Sequence, residues 1–431
     1  MRRLKFEAGR PAEPAARGEE RLMEVSRARW LILALVFAAA VLNYIDRQII
    51  AVLKPAIQGD FGWNDQDYAH MASAFQFAAA AAYLFVGWFI DRTGLRWGYS
   101  WAVGVWSAAA AAHAAAVSVF QFTIARVVLG VSEAVHTPAA VKSVAVWFPR
   151  EAERSTALGI MASAGNLGAI VTPLLIPVIA LALGWRATFV IAGGLGVVWV
   201  VLWLLVRTPP AVKARERAVG SETQVKVPWA MLLRSRAAWA IAGAKFIVDA
   251  VWWFILFWIP DFFHRAFQLD MREAGPPVAL IYGLAALGSF MGGWLPAQFL
   301  KRGASLNVAR KGTMLAASLV ILTLPLALLA ENYWIAALII GVALFAHQAF
   351  TTNVFGLCTD LFPPRFVGSV VSFGALLGNL SGMLFLEFTG WVLTSGYGYL
   401  PMFGYSAVAY IVALGWIQLM APRLVPAKID A

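Results

Sequence analysis

Several ionisable side chains of this chain sit inside long apolar runs. An ion at mid-membrane costs at least ~2.5 kcal/mol, so each needs a partner, a water-filled cavity or a task. The first run contains Asn43-Tyr44-Ile45-Asp46-Arg47, an acid directly beside a base. Neighbours on a helix point about 100° apart. Asp46 and Arg47 can therefore face different surroundings, one a pathway and one an adjacent helix, or they can form an inert internal pair. A later run carries Arg126 and Glu133, two turns apart on one face, with Gly130 between them and His136 beyond. A base and an acid on one stripe suggest a relay. A carboxyl held away from water at Glu133 can take up and release a proton near neutral pH, and Arg126 opposes the uptake when close. His136 either joins this relay or packs structurally among helices.

The second half of the chain offers another set. In the run containing Lys245, the residues Phe246, Asp249 and Trp253 recur at i, i+3 and i+7 and share a helix face. An acid and an aromatic surface there can meet hydroxyls and a ring face. Lys245 and Asp249 stand one turn apart, so mutual neutralisation is the competing reading. Further on, His347 and Thr351 lie one turn apart beside Gln348, and either can donate to a hydroxylated ligand or make an interhelical hydrogen bond. The chain has no HExxH, no Cys/His metal spacing and no GxSxG. A membrane enzyme is therefore disfavoured, and neither a metal nor a cofactor is expected. Acid and base on single helices also suit a gated site better than a ring-lined channel.

What must position these groups is a membrane-spanning scaffold. Of the 431 residues 61% are hydrophobic and 13% charged, against about 25% charged in a soluble domain. Apolar runs of roughly 20 residues recur, long enough to cross a hydrocarbon core of about 30 Å as helices, and they lack the alternation of barrel strands. The runs predict spans at 30–53, 68–90, 98–118, 120–146, 157–181 and 184–206, then 237–263, 274–300, 312–329, 332–358, 366–393 and 398–421. The expected fold is thus an all-α membrane protein of 12 transmembrane helices in two six-helix bundles, 30–206 and 237–421. A linker, 207–236, joins them, and tails 1–29 and 422–431 flank them. Roughly 26 of the 34 basic residues then fall on one side, which places the linker and both termini in the cytoplasm. The same segments account for the net charge of +11 as contact with an anionic lipid bilayer, and nucleic acid is not expected as a partner. A single cysteine, Cys358, excludes an internal disulfide. The halves also echo each other: Phe148-Pro149 matches Phe362-Pro363, and each pair precedes a small-residue helix with an asparagine near mid-depth, Asn166 and Asn379.

Between the second and third runs the chain reads Gly87-Trp88-Phe89-Ile90-Asp91-Arg92-Thr93-Gly94-Leu95-Arg96. This resembles the signature loop of the major facilitator superfamily, which latches the cytoplasmic side. Gly87 is expected to permit close helix approach, Asp91 to accept from a helix N-terminus or pair with a base, and Gly94 to support a tight turn; Arg92 and Arg96 complete the loop. The second-half copy, Gly292-Gly293 through Lys301-Arg302-Gly303, has Ala297 where relatives usually have Asp. Asn43 to Arg47, Arg126 to Ala134 and Trp147 to Arg154 resemble more narrowly the anion:cation symporter family, whose bacterial members import hexuronates and galactonate with protons. Ala244 to Phe254 and Ala346-His347-Gln348 are similar to its hexuronate branch.

The resemblance implies that Asp46 and Glu133 carry coupling protons, that Arg47 meets the substrate carboxylate, and that Arg126 responds to protonation at Glu133. Tyr44, Gln76, Asn166, Asp249, Trp253, His347, Gln348 and Asn379 complete the candidate substrate contacts. Ser132, His136 and Ala79 depart from the commoner family residues. The expected function is a proton-coupled importer of a sugar acid by alternating access, working as a monomer in a cell inner membrane. Sodium coupling, or an aromatic carboxylate or phosphate as cargo on the same scaffold, is the alternative.

Overall fold

The computed structural model describes residues 13–222 and 229–425, and every regular element among them is helical. Apolar runs too long for a soluble core can satisfy their backbone groups internally only as helices. The first half holds α1 (Glu13–Phe61), α2 (Asp65–Ala82), α3 (Val86–Ala112), α4 (Val119–Glu133), α5 (His136–Trp147), α6 (Glu151–Leu183) and α7 (Trp185–Leu205). The second holds α10 (Arg236–Phe267), α11 (Gly275–Lys301), α12 (Leu306–Ile321), α13 (Tyr333–Leu361), α14 (Pro364–Thr394) and α15 (Leu400–Met420). Between them, the expected linker contains α8 (Pro210–Glu222) and α9 (Trp229–Arg234), with part of it and of both tails outside the described residues.

Among the described residues ten helices are long and apolar enough to cross a membrane, or up to eleven if a bent pair is one span. The sequence predicts twelve, and the difference lies at 68–118. Helix α2 ends at Ala82, inside the segment expected as one span, and the chain turns by 79° before α3. Helix α3 then runs through the expected loop. Gly94, at φ 73° and ψ 161°, interrupts it and separates the pieces 86–93 and 95–112. An L side chain rarely adopts that backbone, so the glycine's expected role in a turn is met. Gly87 does not do what its position suggests. It is exposed, and a methyl there would meet nothing within 4 Å.

Packing within each half follows one pattern: α1 with α6 and α2 with α4 in the first, α10 with α14 and α11 with α13 in the second. The halves meet along α1 with α10, α2 with α14, and α6 with α11. Small residues allow the close approaches. A methyl on Gly275 would lie 2.3 Å from the Pro173 carbonyl, and one on Gly390 would lie 2.3 Å from the Ala69 Cβ, both across the halves.

Candidate functional site

The candidate residues of α1 converge with those of α4. Asp46 and Arg47 diverge as adjacent helix positions must. Arg47 Nε donates to Glu133 Oε2 at 2.9 Å, while Arg126 Nη1 donates to the backbone carbonyl of Asp46 at 3.1 Å. The relay expected between Arg126 and Glu133 is therefore rearranged: Glu133 is held by Arg47 of another helix. A glycine makes the geometry possible, since a methyl on Gly130 would stand 2.5 Å from the Phe75 carbonyl of α2. The guanidinium of Arg47 lies between two rings, 5.4 Å from the Phe75 centroid and 5.7 Å from that of Trp253. Phe75 belongs to the first half and Trp253 to the second, so this cation touches both. Such contacts are worth about 2 kcal/mol when desolvated and leave the guanidinium edge free to bind oxygen.

Several buried polar atoms here have no hydrogen-bond partner: Asn43 Nδ2, both amide atoms of Gln76, Arg126 Nε and Nη2, and Glu133 Oε1. Leaving such an atom unmade costs about 1–3 kcal/mol. Asn43 stands one turn before Arg47 on α1, Gln76 follows the Phe75 that Arg47 lies over, and Glu133 holds Arg47, so unmet donors and acceptors lie on the elements that meet at this guanidinium. Tyr44 packs against α6, where methyls on Gly165 and Gly168 would stand 2.6 and 2.7 Å from its side chain. Its phenol is within electrostatic reach of both Arg47 and Asp249.

In the second half, Lys245 Nζ and Asp249 Oδ2 form an ion pair at 2.7 Å. The pairing favours the neutralisation reading, yet it leaves the Asp249 side chain 16% exposed. Lys245, Asp249 and Trp253 face α14, where methyls on Gly374, Gly378 and Gly382 would come within 2.8, 2.0 and 2.2 Å of them in turn. One stripe at i, i+4 and i+8 thus meets three glycines at the same spacing. His347 is buried, stacked on Trp252 at 5.6 Å and hydrogen-bonded to Tyr410. Thr351 donates to Gln348 within its own helix, Asn379 donates to the Ala375 carbonyl, and Asn166 is half-buried. His136 is held by the Tyr99 hydroxyl at 2.7 Å and packs beside Trp106, which answers to the structural reading.

The signature loop sits at the linker end of the bundle. Asp91 pairs with Lys142 of α5 at 2.5 Å, and Arg92 lies over Trp88. Arg96 donates to the Leu204 and Val206 carbonyls, closing the C-terminal end of α7. Glu216 of α8 accepts from the Leu95 amide at 2.6 Å, which clasps the linker to this loop. In the second half Arg310 pairs with Asp360 at 2.9 Å, a contact that uses neither Ala297 nor its neighbours.

Sequence reasoning missed a cluster at the opposite end. Lys54, fully buried, contacts Asp65 and Asp261 at 2.8 Å each and lies 4.4 Å from the Trp258 centroid. Arg265 joins both acids, and the Tyr399 hydroxyl donates to Asp261. Nearby, Glu387 of α14 accepts from Gln66 and Ser73 of α2 and pairs with His70. These ion pairs join the two halves, whereas among the described residues those at the linker end, such as Lys142–Asp91 and Arg310–Asp360, stay within one half.

Comparison with known proteins bears on the family and the fold. The family model described as Major Facilitator Superfamily matches residues 36–386. The chain is 26% identical over 401 residues to the hexuronate transporter of Escherichia coli (strain K12), covering 90% of this chain and 92% of that protein. It is 28% identical over 417 residues to the D-galactonate transporter of Escherichia coli O6:H1, covering 91% and 96%. Among solved structures, a bacterial homologue of the human lysosomal transporter Spinster, inward-facing and occupied, superposes with a TM-score of 0.70 at 20% identity, covering 91% of this chain and 95% of that one.

Proposed function

The chain belongs to the Major Facilitator Superfamily, a family of multi-pass membrane transporters, and from that premise we propose that it imports a sugar acid together with protons across a cell inner membrane. The observation that carries this reading is the Arg47–Glu133 contact. A charged Glu133 occupies the guanidinium edge that a cargo carboxylate needs. A proton on Glu133 releases that edge, so proton loading and anion binding meet at one side chain. Asp46, buried on the next position of α1, is the second proton site, and Arg126 senses its helix through the Asp46 carbonyl. Gln76, Tyr44, Asn166, Asp249, Trp253, His347, Gln348 and Asn379 supply the remaining contacts. The names of the hexuronate and D-galactonate transporters among its relatives support the choice of a hydroxylated carboxylate.

Coupling has an electrostatic purpose. A negative interior repels an anion by about 2.3 kcal/mol per charge per 100 mV, and two protons carried with a single charge reverse the sign of that barrier. With the termini in the cytoplasm, the ion pairs Lys54–Asp261 and Arg265–Asp65 latch the halves at the outer end, and the halves part at the linker end to release cargo inward. Rocking of the two halves about the site, as single copies of the chain, then exposes Arg47 outward. The test is uptake of labelled galacturonate or galactonate into proteoliposomes under separate proton and sodium gradients. Proton-driven accumulation is expected in the wild type. Glu133→Gln should abolish it while sparing exchange of cargo between the two sides, and undiminished accumulation by that variant sinks the assignment.

A further inference from the structure

The second half carries a buried cation that proton coupling at Asp46 and Glu133 does not use. Lys245 is 6% exposed, and its ammonium, which has three protons to donate, makes one ion pair among the described residues, with Asp249 at 2.7 Å, and lies 4.5 Å from the Phe355 ring. A buried ion pair is replaceable by apolar residues of similar volume with little loss, so stability alone is a weak reason for this one. Its placement is informative. Along α10, Trp253 stands eight residues, a little over two helical turns, above Lys245, about 12 Å at 1.5 Å per residue. Because Lys245 reaches up to Asp249, its charge lies roughly one turn, about 6 Å, from the level of Trp253. The Arg47 guanidinium is 5.7 Å from the same Trp253 ring on the side of the first half.

Two cations therefore flank Trp253, one from each half, and each is balanced by a single carboxylate: Arg47 by Glu133 and Lys245 by Asp249. A cargo with one carboxylate needs to displace only one of these acids. Resting on the sugar-acid reading above, we propose that Lys245 is a second anion-binding residue and that the preferred cargo is a hydroxylated chain of about six carbons with a carboxylate at each end. The terminal carboxyl carbons of such a chain stand about 6 Å apart when extended, and their oxygens reach further. One carboxylate takes the Arg47 edge and the other replaces Asp249 at Lys245. The hydroxyls between them lie along Trp253 and Tyr44, the latter within reach of both Arg47 and Asp249. The glycines at 374, 378 and 382 let the stripe lie flat against α14, so that Lys245, Asp249 and Trp253 keep one line along the helix.

The experiment is equilibrium binding to the purified full chain with three probes of equal carbon count: galactarate, which has two carboxylates, and galacturonate and galactonate, which have one. The wild type should bind galactarate at least about tenfold more tightly than either monoacid. Lys245→Gln should lose about tenfold for galactarate and change the monoacids by less than about twofold, whereas Lys245→Arg should retain the preference. If Lys245→Gln does not fold, Lys245→Met, which keeps the length and volume of the side chain and removes its charge, should show the same selective loss. Equal wild-type affinity for diacid and monoacid, or equal losses in the variant, overturns the assignment and leaves the sugar-acid reading standing. Binding of none of the three overturns both.

Discussion

At the scale of single residues, the site is built from side chains whose burial is costly unless a partner arrives. Gln76 shows this most simply. It is fully buried, and neither amide atom has a partner. Replacing it with an apolar residue of similar volume removes that penalty, so Gln76→Leu should leave the ligand-free protein as stable as the wild type or raise its stability by about 1 kcal/mol. The same change should weaken cargo binding by about tenfold or more. Thermal unfolding with and without ligand measures both effects, and a loss of stability without a loss of binding marks Gln76 as structural. Charges inside apolar runs are conspicuous, which is why Asp46, Arg47, Arg126, Glu133, Lys245 and Asp249 were legible in the sequence. Their partners were not. Arg126 and Glu133 share a helix face, yet Glu133 is held from α1, because a helical periodicity gives directions on one helix and says nothing of which neighbour supplies the partner.

At the scale of helices, glycine spacing decides which pairs touch, and two adjacent glycines of α11 give a sharp contrast. A methyl on Gly292 would lie 2.6 Å from Ala349 Cα and 2.8 Å from its carbonyl oxygen, whereas one on Gly293 meets nothing within 4 Å. Backbone atoms cannot step aside as a flexible side chain can. Gly292→Ala should therefore push α11 from α13 and cost about 1–3 kcal/mol, while Gly293→Ala should be neutral or stabilising by up to about 1 kcal/mol through helix propensity. Equal melting temperatures for the two variants would contradict this packing. The sequence gives both residues the same letter, so the distinction depends on which face α11 turns to its neighbour. The turn after Ala82 was hidden for a related reason: Tyr83-Leu84-Phe85 contains neither proline nor glycine, and the apolar run continues through it. The span predicted at 30–53 ends one residue short of Lys54, so that a buried cation reads as a loop charge.

At the scale of the whole molecule, the two ends of the bundle are held differently, and that asymmetry defines the state. At the linker end, contacts such as Lys142 with Asp91 and Arg310 with Asp360 stay inside one half. At the far end, Lys54 and Arg265 share Asp65 and Asp261 across the halves, a set of two bases and two acids that balances its own charge. Removing one partner from a buried ion network typically costs about 3–5 kcal/mol, because the remaining charges stay desolvated and unpaired. Here the molecule has an escape that a rigid core lacks, since separating the halves returns Asp65 and Asp261 to water. Lys54→Met should therefore spend its cost on the conformational equilibrium and raise the open-to-closed ratio at this end by at least about tenfold. Spin labels on the two halves near this end should report a longer distance population in Lys54→Met and a wild-type distribution in Lys54→Arg. If the lysine variant unfolds at lower temperature with its distance distribution unchanged, the network stabilises the fold and does not govern which end is open.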